Sequence, residues 1–126
     1  MKIGVGAIDL EHRQLSEAID ALHEVVGKQD QQSLTGPLLL NVLESTRAHF
    51  ASEEAMMTST KYPGAALHVL KHGYLLDQMQ ALVGRFSRGG FAITEHSMNF
   101  LRDWLITHIQ KEDLQFALWL NEHGKY

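Results

Sequence analysis

HFASEEAMMTSTKYPGAALHVLKH, residues 49–72, is the stretch that decides the fold of this chain. It places His49 four residues before Glu53. Beyond a proline, it places His68 four residues before His72. Residues four apart on an α-helix lie on one face, about one turn from each other, and the proline separates two such helices. Helix bundles build metal sites from side chains on facing helices, so this stretch predicts a metal site inside a bundle.

The composition excludes several other kinds of site. The chain has 126 residues and no cysteine, which excludes disulfides, cysteine-bound zinc and iron–sulfur clusters. A formal net charge of −4 gives no basis for a nucleic-acid surface. No run reaches the roughly 18 apolar residues of a membrane helix, and no secretory signal opens the chain, so we expect a cytoplasmic protein without a membrane partner. Eight histidines suit iron, copper or zinc better than calcium or magnesium.

Apolar residues spaced three and four apart predict four helices. The predicted helices cover residues 9–26, 37–58, 63–86 and 94–121. Long helices with short connections predict an all-α protein, an up-down-up-down antiparallel four-helix bundle formed as one domain over residues 1–126. The chain begins with Met and ends without a linker, so a free-standing protein is expected, although a piece cut from a longer chain would look the same.

Five of the eight histidines stand on inward stripes that are otherwise apolar. They are His12, His49, His68, His72 and His108. Because helix direction alternates, all five come to a common level of the bundle. One such histidine is usually a hydrogen-bonded core residue, but these stripes offer five imidazoles few partners beyond Glu53, Thr46 and the acidic pair 112–113. Five imidazoles and two carboxylates exceed what one tetrahedral zinc can use and predict two metals in the core.

Motifs from all four predicted helices form one pattern. They are Ile8-Asp9-x-Glu11-His12, His49-Phe50-x-x-Glu53-Glu54, Tyr62-Pro63, His68-x-x-x-His72 and Trp104-Leu105-x-x-His108-Ile109-x-x-x-Asp113. Over nearly the whole chain this pattern resembles the hemerythrin family, in its short bacterial type. The resemblance implies a non-haem di-iron protein that binds dioxygen reversibly as a carrier, store or sensor, and not an enzyme.

The resemblance also implies two irons with different numbers of histidine ligands. One iron would be held by three histidines, which are His68, His72 and His108. The other would be held by two, which are His12 and His49. Glu53 and Asp113 would bridge the irons, together with an oxo or hydroxo group. The iron with two histidines would keep an open position for dioxygen.

The surroundings of this site follow from the same motifs. Leu105 matches the family's apolar residue near the ligand pocket, and Phe50 and Trp104 are expected to pack around the site and keep it dry. Ordinary core packing would use the same three side chains. Glu54 is expected to be a solvated neighbour of the ligands and not a ligand itself. Of the other histidines, His23 is expected to be structural, whereas those at positions 96 and 123 are expected to be exposed.

One member of the ligand set depends on the resemblance alone. Spacing favours Glu112, which is four residues from His108. Asp113 is five residues away, which rotates it by about 140° on an ideal helix. The family pattern selects Asp113, and Glu112 stays the alternative.

Two further functions stay open from the sequence. An enzyme of the same fold could reduce peroxide or nitric oxide at the di-iron site, although no residue is an obvious proton donor beside the open position. A sensor domain of a larger signalling protein is the other alternative. Zinc or another divalent ion could also replace iron in a recombinant sample, since imidazole sites discriminate poorly between metals. The sequence does not identify a protein partner.

Overall fold

The computed structural model describes residues 6–26, 28, 33–88 and 94–124. Within these ranges the chain forms helices and turns, without a strand. The first three helices are α1 (Gly6–Val25), α2 (Thr35–Thr60) and α3 (Ala65–Ser87). They begin and end within three residues of their predicted bounds and run in alternating directions. None of the described helices is long and apolar enough to cross a membrane.

The fourth helix is divided into three parts, which the sequence did not predict. They are α4 (Glu95–His108), a π-helical turn (Ile109–Asp113) and α5 (Leu114–Glu122). A π turn takes one more residue than an α turn, because its hydrogen bonds join residues five apart. The start of α4 was predicted correctly, since Thr94 caps it by accepting a hydrogen bond from the Ser97 backbone at 3.2 Å.

The predicted apolar stripe of α1 is buried along its whole length. Its members are Ile8, Leu15, Ile19, Leu22 and Val26. On α2, apolar spacing predicts that Met56 faces the core. This is wrong, because Met56 is only partly buried and its neighbour Met57 is fully buried. On the fourth helix, apolar spacing predicts that Ile109 is buried, but its side chain lies outside those that the structure describes.

The buried apolar residues form two clusters with a polar layer between them. On α1, Ile8 belongs to one cluster and Leu15 to the other, and His12 lies between them. The same alternation occurs on α2, where Phe50 and Met57 belong to different clusters on either side of Glu53. The bundle therefore encloses a layer of polar side chains between two apolar halves of its core.

A left-handed residue ends α2 and turns the chain toward α3. Lys61 has φ 60° and ψ 43°, and its backbone N–H donates to the Thr58 carbonyl. The Tyr62 backbone N–H donates to the Met57 carbonyl at 3.0 Å. These two bonds form a Schellman motif, which satisfies carbonyls at the helix end that otherwise lack a partner.

Candidate metal centre

The polar layer contains all seven residues that the sequence singled out as ligands. They are His12 on α1, His49 and Glu53 on α2, His68 and His72 on α3, His108 on α4 and Asp113 in the π turn. Every one of these side chains is buried, and the most exposed residue, His108, is 6% exposed. All five imidazoles turn Nε2 toward the two carboxylates or toward another imidazole of the group. The structure thus brings the whole set together at one level of the bundle.

Asp113 contacts four of the five imidazoles and divides its two oxygens between them. Its Oδ2 lies 2.9 Å from His12 Nε2 and 3.0 Å from His49 Nε2. Its Oδ1 lies 3.0 Å from His68 Nε2 and 3.1 Å from His108 Nε2. One oxygen therefore faces the histidines of α1 and α2, and the other faces the histidines of α3 and α4.

Glu53 divides its oxygens in the same way from the opposite side of the cluster. Its Oε2 lies 3.6 Å from His49 Nε2. Its Oε1 lies 2.7 Å from His68 Nε2 and 3.2 Å from His72 Nε2. Despite these approaches, neither Glu53 oxygen accepts a well-aligned hydrogen bond from the described residues. A fully buried carboxylate without such bonds is costly, so Glu53 favours a cation beside it.

The divided oxygens define two ligand groups that share both carboxylates. The larger group is Glu53, His68, His72, His108 and Asp113. The smaller group is His12, His49, Glu53 and Asp113. Within each group the ligand atoms all lie within 4.8 Å of one another. This geometry offers two adjacent cation positions, one with three imidazoles and one with two.

The π turn explains why Asp113, and not Glu112, lies in the cluster. On a regular α-helix the residue four after His108 would share its face, but in a π turn the residue five after it does so. Asp113 accordingly faces His108 across the turn. Glu112 points toward α3, where its carboxylate pairs with the Lys71 ammonium group. The regular-helix spacing that favoured Glu112 was therefore misleading.

The two carboxylates have opposite pKa shifts. Burial works to raise the pKa of Asp113, but its contacts with His108, His12, His49 and His68 outweigh burial and lower that pKa well below its usual range. Burial raises the pKa of Glu53 to about 7; the contact with His68 opposes this rise and the charge of Asp113 adds to it. Without a cation, the cluster thus holds one carboxylate charge firmly and a second only partly, and a metal ion would stabilise both.

The imidazoles of α3 also differ from each other. Burial lowers the pKa of His72 to about 2, and the nearby charges of His68 and His108 act in the same direction. Burial also works to lower the pKa of His68, but its contacts with Asp113 and Glu53 outweigh burial and raise that pKa to about 9. His72 is therefore neutral, the form in which imidazole binds a metal, whereas a proton on His68 occupies a place that a cation could take.

Aromatic and apolar side chains surround this layer. Phe50 is 1% exposed and stacks on His72, with ring centroids 3.8 Å apart and planes 5° from parallel. Leu105 is buried in the larger apolar cluster, and Trp104 packs against that cluster partly buried. A cavity of about 240 Å³ between α3 and α4 is lined by both Trp104 and His108. Phe50 thus contacts the polar layer directly, and Trp104 lines a cavity that also reaches His108.

Two carboxylates outside the predicted ligand set also reach the histidines. Glu11 Oε1 lies 3.1 Å from His49 Nδ1. Glu54 Oε2 lies 3.1 Å from His72 Nδ1, so Glu54 is more than a solvated neighbour. Each of these two carboxylates directly adjoins a predicted ligand in the chain, and that position could have indicated a role at the site. The position alone does not identify the partner on another helix.

The remaining histidines lie away from the cluster. His23 Nε2 pairs with Glu95 Oε1 at 2.9 Å, which links α1 to α4. His96 is exposed, and His123 is exposed and stacks on Trp119 with ring centroids 4.5 Å apart. These positions agree with a structural role for His23 and with exposure of the other two.

The seven donors suit a pair of borderline metal ions. Imidazole nitrogens with carboxylates bind iron, zinc, copper or nickel, whereas calcium and magnesium prefer all-oxygen sites. The Nε2 atoms of His72 and His108 lie only 3.0 Å apart. Between two neutral rings this contact is favourable only if one Nε2 carries a proton and donates it to the other. A cation beside both lone pairs would satisfy the two rings at once. The residues present therefore fit a pair of bound metal ions.

The fold and the site together define a class of protein, the helical bundles with a buried histidine–carboxylate centre. The family model described as "Hemerythrin HHE cation binding domain" matches residues 3–120. The chain belongs to the hemerythrin family, and the resemblance drawn from its motifs is confirmed.

Relatives and solved structures agree with this membership. The chain is similar to a bacteriohemerythrin of Stenotrophomonas maltophilia, with 30% identity over 123 residues, which cover 98% of this chain and 79% of that protein. A bacteriohemerythrin of Methylococcus capsulatus is 28% identical over 109 residues, covering 86% of this chain and 82% of that one. A crystal structure of wild-type hemerythrin matches with a TM-score of 0.85 and 28% identity, covering 90% of this chain and 86% of that chain.

Proposed function

We propose that this protein holds two iron ions in its core and binds dioxygen reversibly. The observation that carries the proposal is the division of the carboxylate oxygens, because Glu53 and Asp113 each turn one oxygen toward each histidine group. Membership of the hemerythrin family supports iron as the metal and dioxygen as the ligand. The role is that of a carrier, store or sensor in the cytoplasm.

The proposed ligand set follows the two groups. One iron is held by His68, His72 and His108, and the other is held by His12 and His49. Glu53 and Asp113 would bridge the two ions, together with an oxo or hydroxo group. The position with two histidines has fewer protein ligands, so it would be the one that leaves room for dioxygen.

The side chains around the site determine what happens to a bound ligand. Bound ferrous iron would supply the electrons with which dioxygen is held. Phe50 covers the face of His72, and Leu105 and Trp104 pack on the same side of the core, so bulk water is kept from the ligands. Water exclusion suppresses side reactions of a reactive bound ligand. A mainly neutral ligand set also gives little stabilisation to high-valent iron, which favours binding over oxygen cleavage and supports a binding protein over an enzyme.

The test is metal content combined with absorption in air. We expect two irons per chain. When the reduced protein is exposed to air, we expect a visible charge-transfer band that disappears on removal of oxygen and returns on re-exposure. His12→Ala is the informative variant, because it removes a ligand of the position with two histidines; this variant should lose the oxygen-dependent band.

Two results would overturn the proposal. A chain that binds fewer than two irons would refute the di-iron site. A di-iron protein whose spectrum never responds to oxygen would refute reversible binding, and turnover of peroxide or nitric oxide by that protein would favour an enzyme instead.

A further inference from the structure

Two carboxylates outside the ligand set each contact the outer nitrogen of one site histidine. His49 and His72 turn Nε2 into the cluster and Nδ1 away from it. Glu11 is 3.1 Å from Nδ1 of His49, and Glu54 is 3.1 Å from Nδ1 of His72. An ionised carboxylate accepts only, so each Nδ1–H donates to its carboxylate and the Nε2 lone pair of that ring is left for a metal.

The two contacts fall in different ligand groups. His49 belongs to the position with two histidines, and His72 belongs to the position with three. By contrast, Nδ1 of His12 and Nδ1 of His68 are buried without a hydrogen-bond partner among the described residues. Each cation position therefore includes one imidazole whose orientation is fixed by a carboxylate and another imidazole that has no such contact.

Helix geometry accounts for where these carboxylates stand in the chain. Glu11 precedes the ligand His12 on α1 and contacts α2. Glu54 follows the ligand Glu53 on α2 and contacts α3. Neighbouring residues on a helix are rotated by about 100°, so a residue next to an inward ligand faces the adjacent helix. Both carboxylates remain partly exposed, at 26% and 34%, which lowers the cost of keeping them charged.

We propose that Glu11 and Glu54 are positioning residues, each of which controls one cation position and leaves the other unaffected. Glu11 fixes His49 and so serves the position with two histidines, whereas Glu54 fixes His72 and serves the position with three. The inference rests on the proposed two-cation site. Loss of such an outer carboxylate typically weakens metal binding by 10–100-fold.

The test is a titration of the full-length metal-free protein with Co²⁺, followed by absorption and calorimetry. Glu11→Gln and Glu54→Gln keep the size of each side chain and remove its charge. We expect each variant to weaken one binding event by 10–100-fold and to leave the other unchanged. Glu17→Gln on α1 and Glu44→Gln on α2 are matched controls, because both residues are exposed and away from the cluster, and they should titrate like the unaltered protein.

A second measurement identifies the position that each variant affects. In a His12→Ala background the position with two histidines is disabled, so Glu54→Gln should weaken the remaining event and Glu11→Gln should not. The Co²⁺-loaded protein should also show hyperfine-shifted Nδ1–H proton signals, among them one from His49 and one from His72. Glu11→Gln should shift the signal of His49 and Glu54→Gln the signal of His72, which a general loss of stability would not do.

Equal weakening of both events by either variant, or no weakening by both, would overturn the inference. Circular dichroism of the metal-free variants checks that the helices are retained. Because Co²⁺ is the only probe, the result does not depend on iron or on oxygen. A protein that fails to bind dioxygen would refute the proposed function and leave this test in place.

Discussion

Asp113 has the most polar contacts of the seven cluster residues, and it is also the residue that spacing alone would not select. Its side chain faces four imidazoles because the π turn brings position 113 onto the face of His108. Glu112, one residue away, faces Lys71. Two adjacent acidic residues thus have different partners, one inside the cluster and one in a partly buried ion pair with α3.

Substitution of these two residues should give opposite results. Asp113→Asn removes the charge that both cation positions share, and we expect it to lower bound iron to one ion per chain or fewer. Glu112→Gln breaks only a partly exposed ion pair, which is worth about 1 kcal/mol or less, and should keep two irons. Iron analysis of the purified variants distinguishes the residues. Iron loss in Glu112→Gln with full iron in Asp113→Asn would reverse the assignment.

Lys61 is a residue whose backbone conformation costs free energy. Its φ of 60° lies in the left-handed region, which disfavours residues that carry a Cβ. Lys61→Gly should raise the free energy of unfolding by about 0.5–1 kcal/mol, since glycine removes this strain but is more flexible in the unfolded chain. Urea unfolding of the metal-free protein measures the change. Lys61→Ala keeps the strain and should show no gain; an equal gain in both variants would assign the effect to the lysine charge.

At the scale of the elements, helix positions followed from apolar spacing, but the division of the fourth helix did not. The stripe of α1 repeats every three or four residues and is buried as predicted. Nothing in Ile-Gln-Lys-Glu-Asp, the sequence of the π turn, distinguishes it from an α-helical segment by propensity. Its conformation depends on contacts of Asp113 with three other helices, which a local pattern cannot contain.

Removal of one residue tests what the π turn does. Deletion of the exposed Lys111 leaves His108 and the aspartate four apart, so a regular α-helix should present both on one face. We expect this variant to keep its helix content and two bound irons. Deletion of the exposed Gln115 in α5 is the control, because it rotates Phe116 and all later core residues by about 100° and should destabilise the fold by several kcal/mol.

Circular dichroism, urea unfolding and iron analysis report on both deletions. If the Lys111 deletion retained its helices but lost iron, the π turn would do more than bring His108 and Asp113 onto one face. Metal binding by Asp113 would then require the wider turn itself.

At the scale of the whole molecule, the cluster joins every helix of the bundle. Its donors come from α1, α2, α3, α4 and the π turn, and they separate two apolar parts of the core. The convergence of these donors could be predicted, because the histidines replace apolar residues on known stripes. The contacts of Glu11 and Glu54 could not, because they depend on the packing angle between neighbouring helices, which the stripes do not define.

Removal of the metal should therefore destabilise the entire bundle. A ligand that binds only the folded state stabilises it by about 2.7 kcal/mol at a free concentration of 100 times Kd. We expect the chelated protein to retain its helices at room temperature and to unfold at a lower temperature than the iron-loaded form, with the transition restored on reloading. Thermal circular dichroism measures both transitions. Identical unfolding temperatures would contradict a metal site that spans the helices.

The sharing of Glu53 and Asp113 between two ligand groups has a consequence for loading. At an empty position, imidazole protons alone orient the carboxylate oxygen that faces it. A first ion aligns both side chains and thereby prepares the second position before it is filled. This alignment offsets part of the repulsion between two neighbouring divalent ions, so the second ion should bind less weakly, relative to the first, than their charges alone would require.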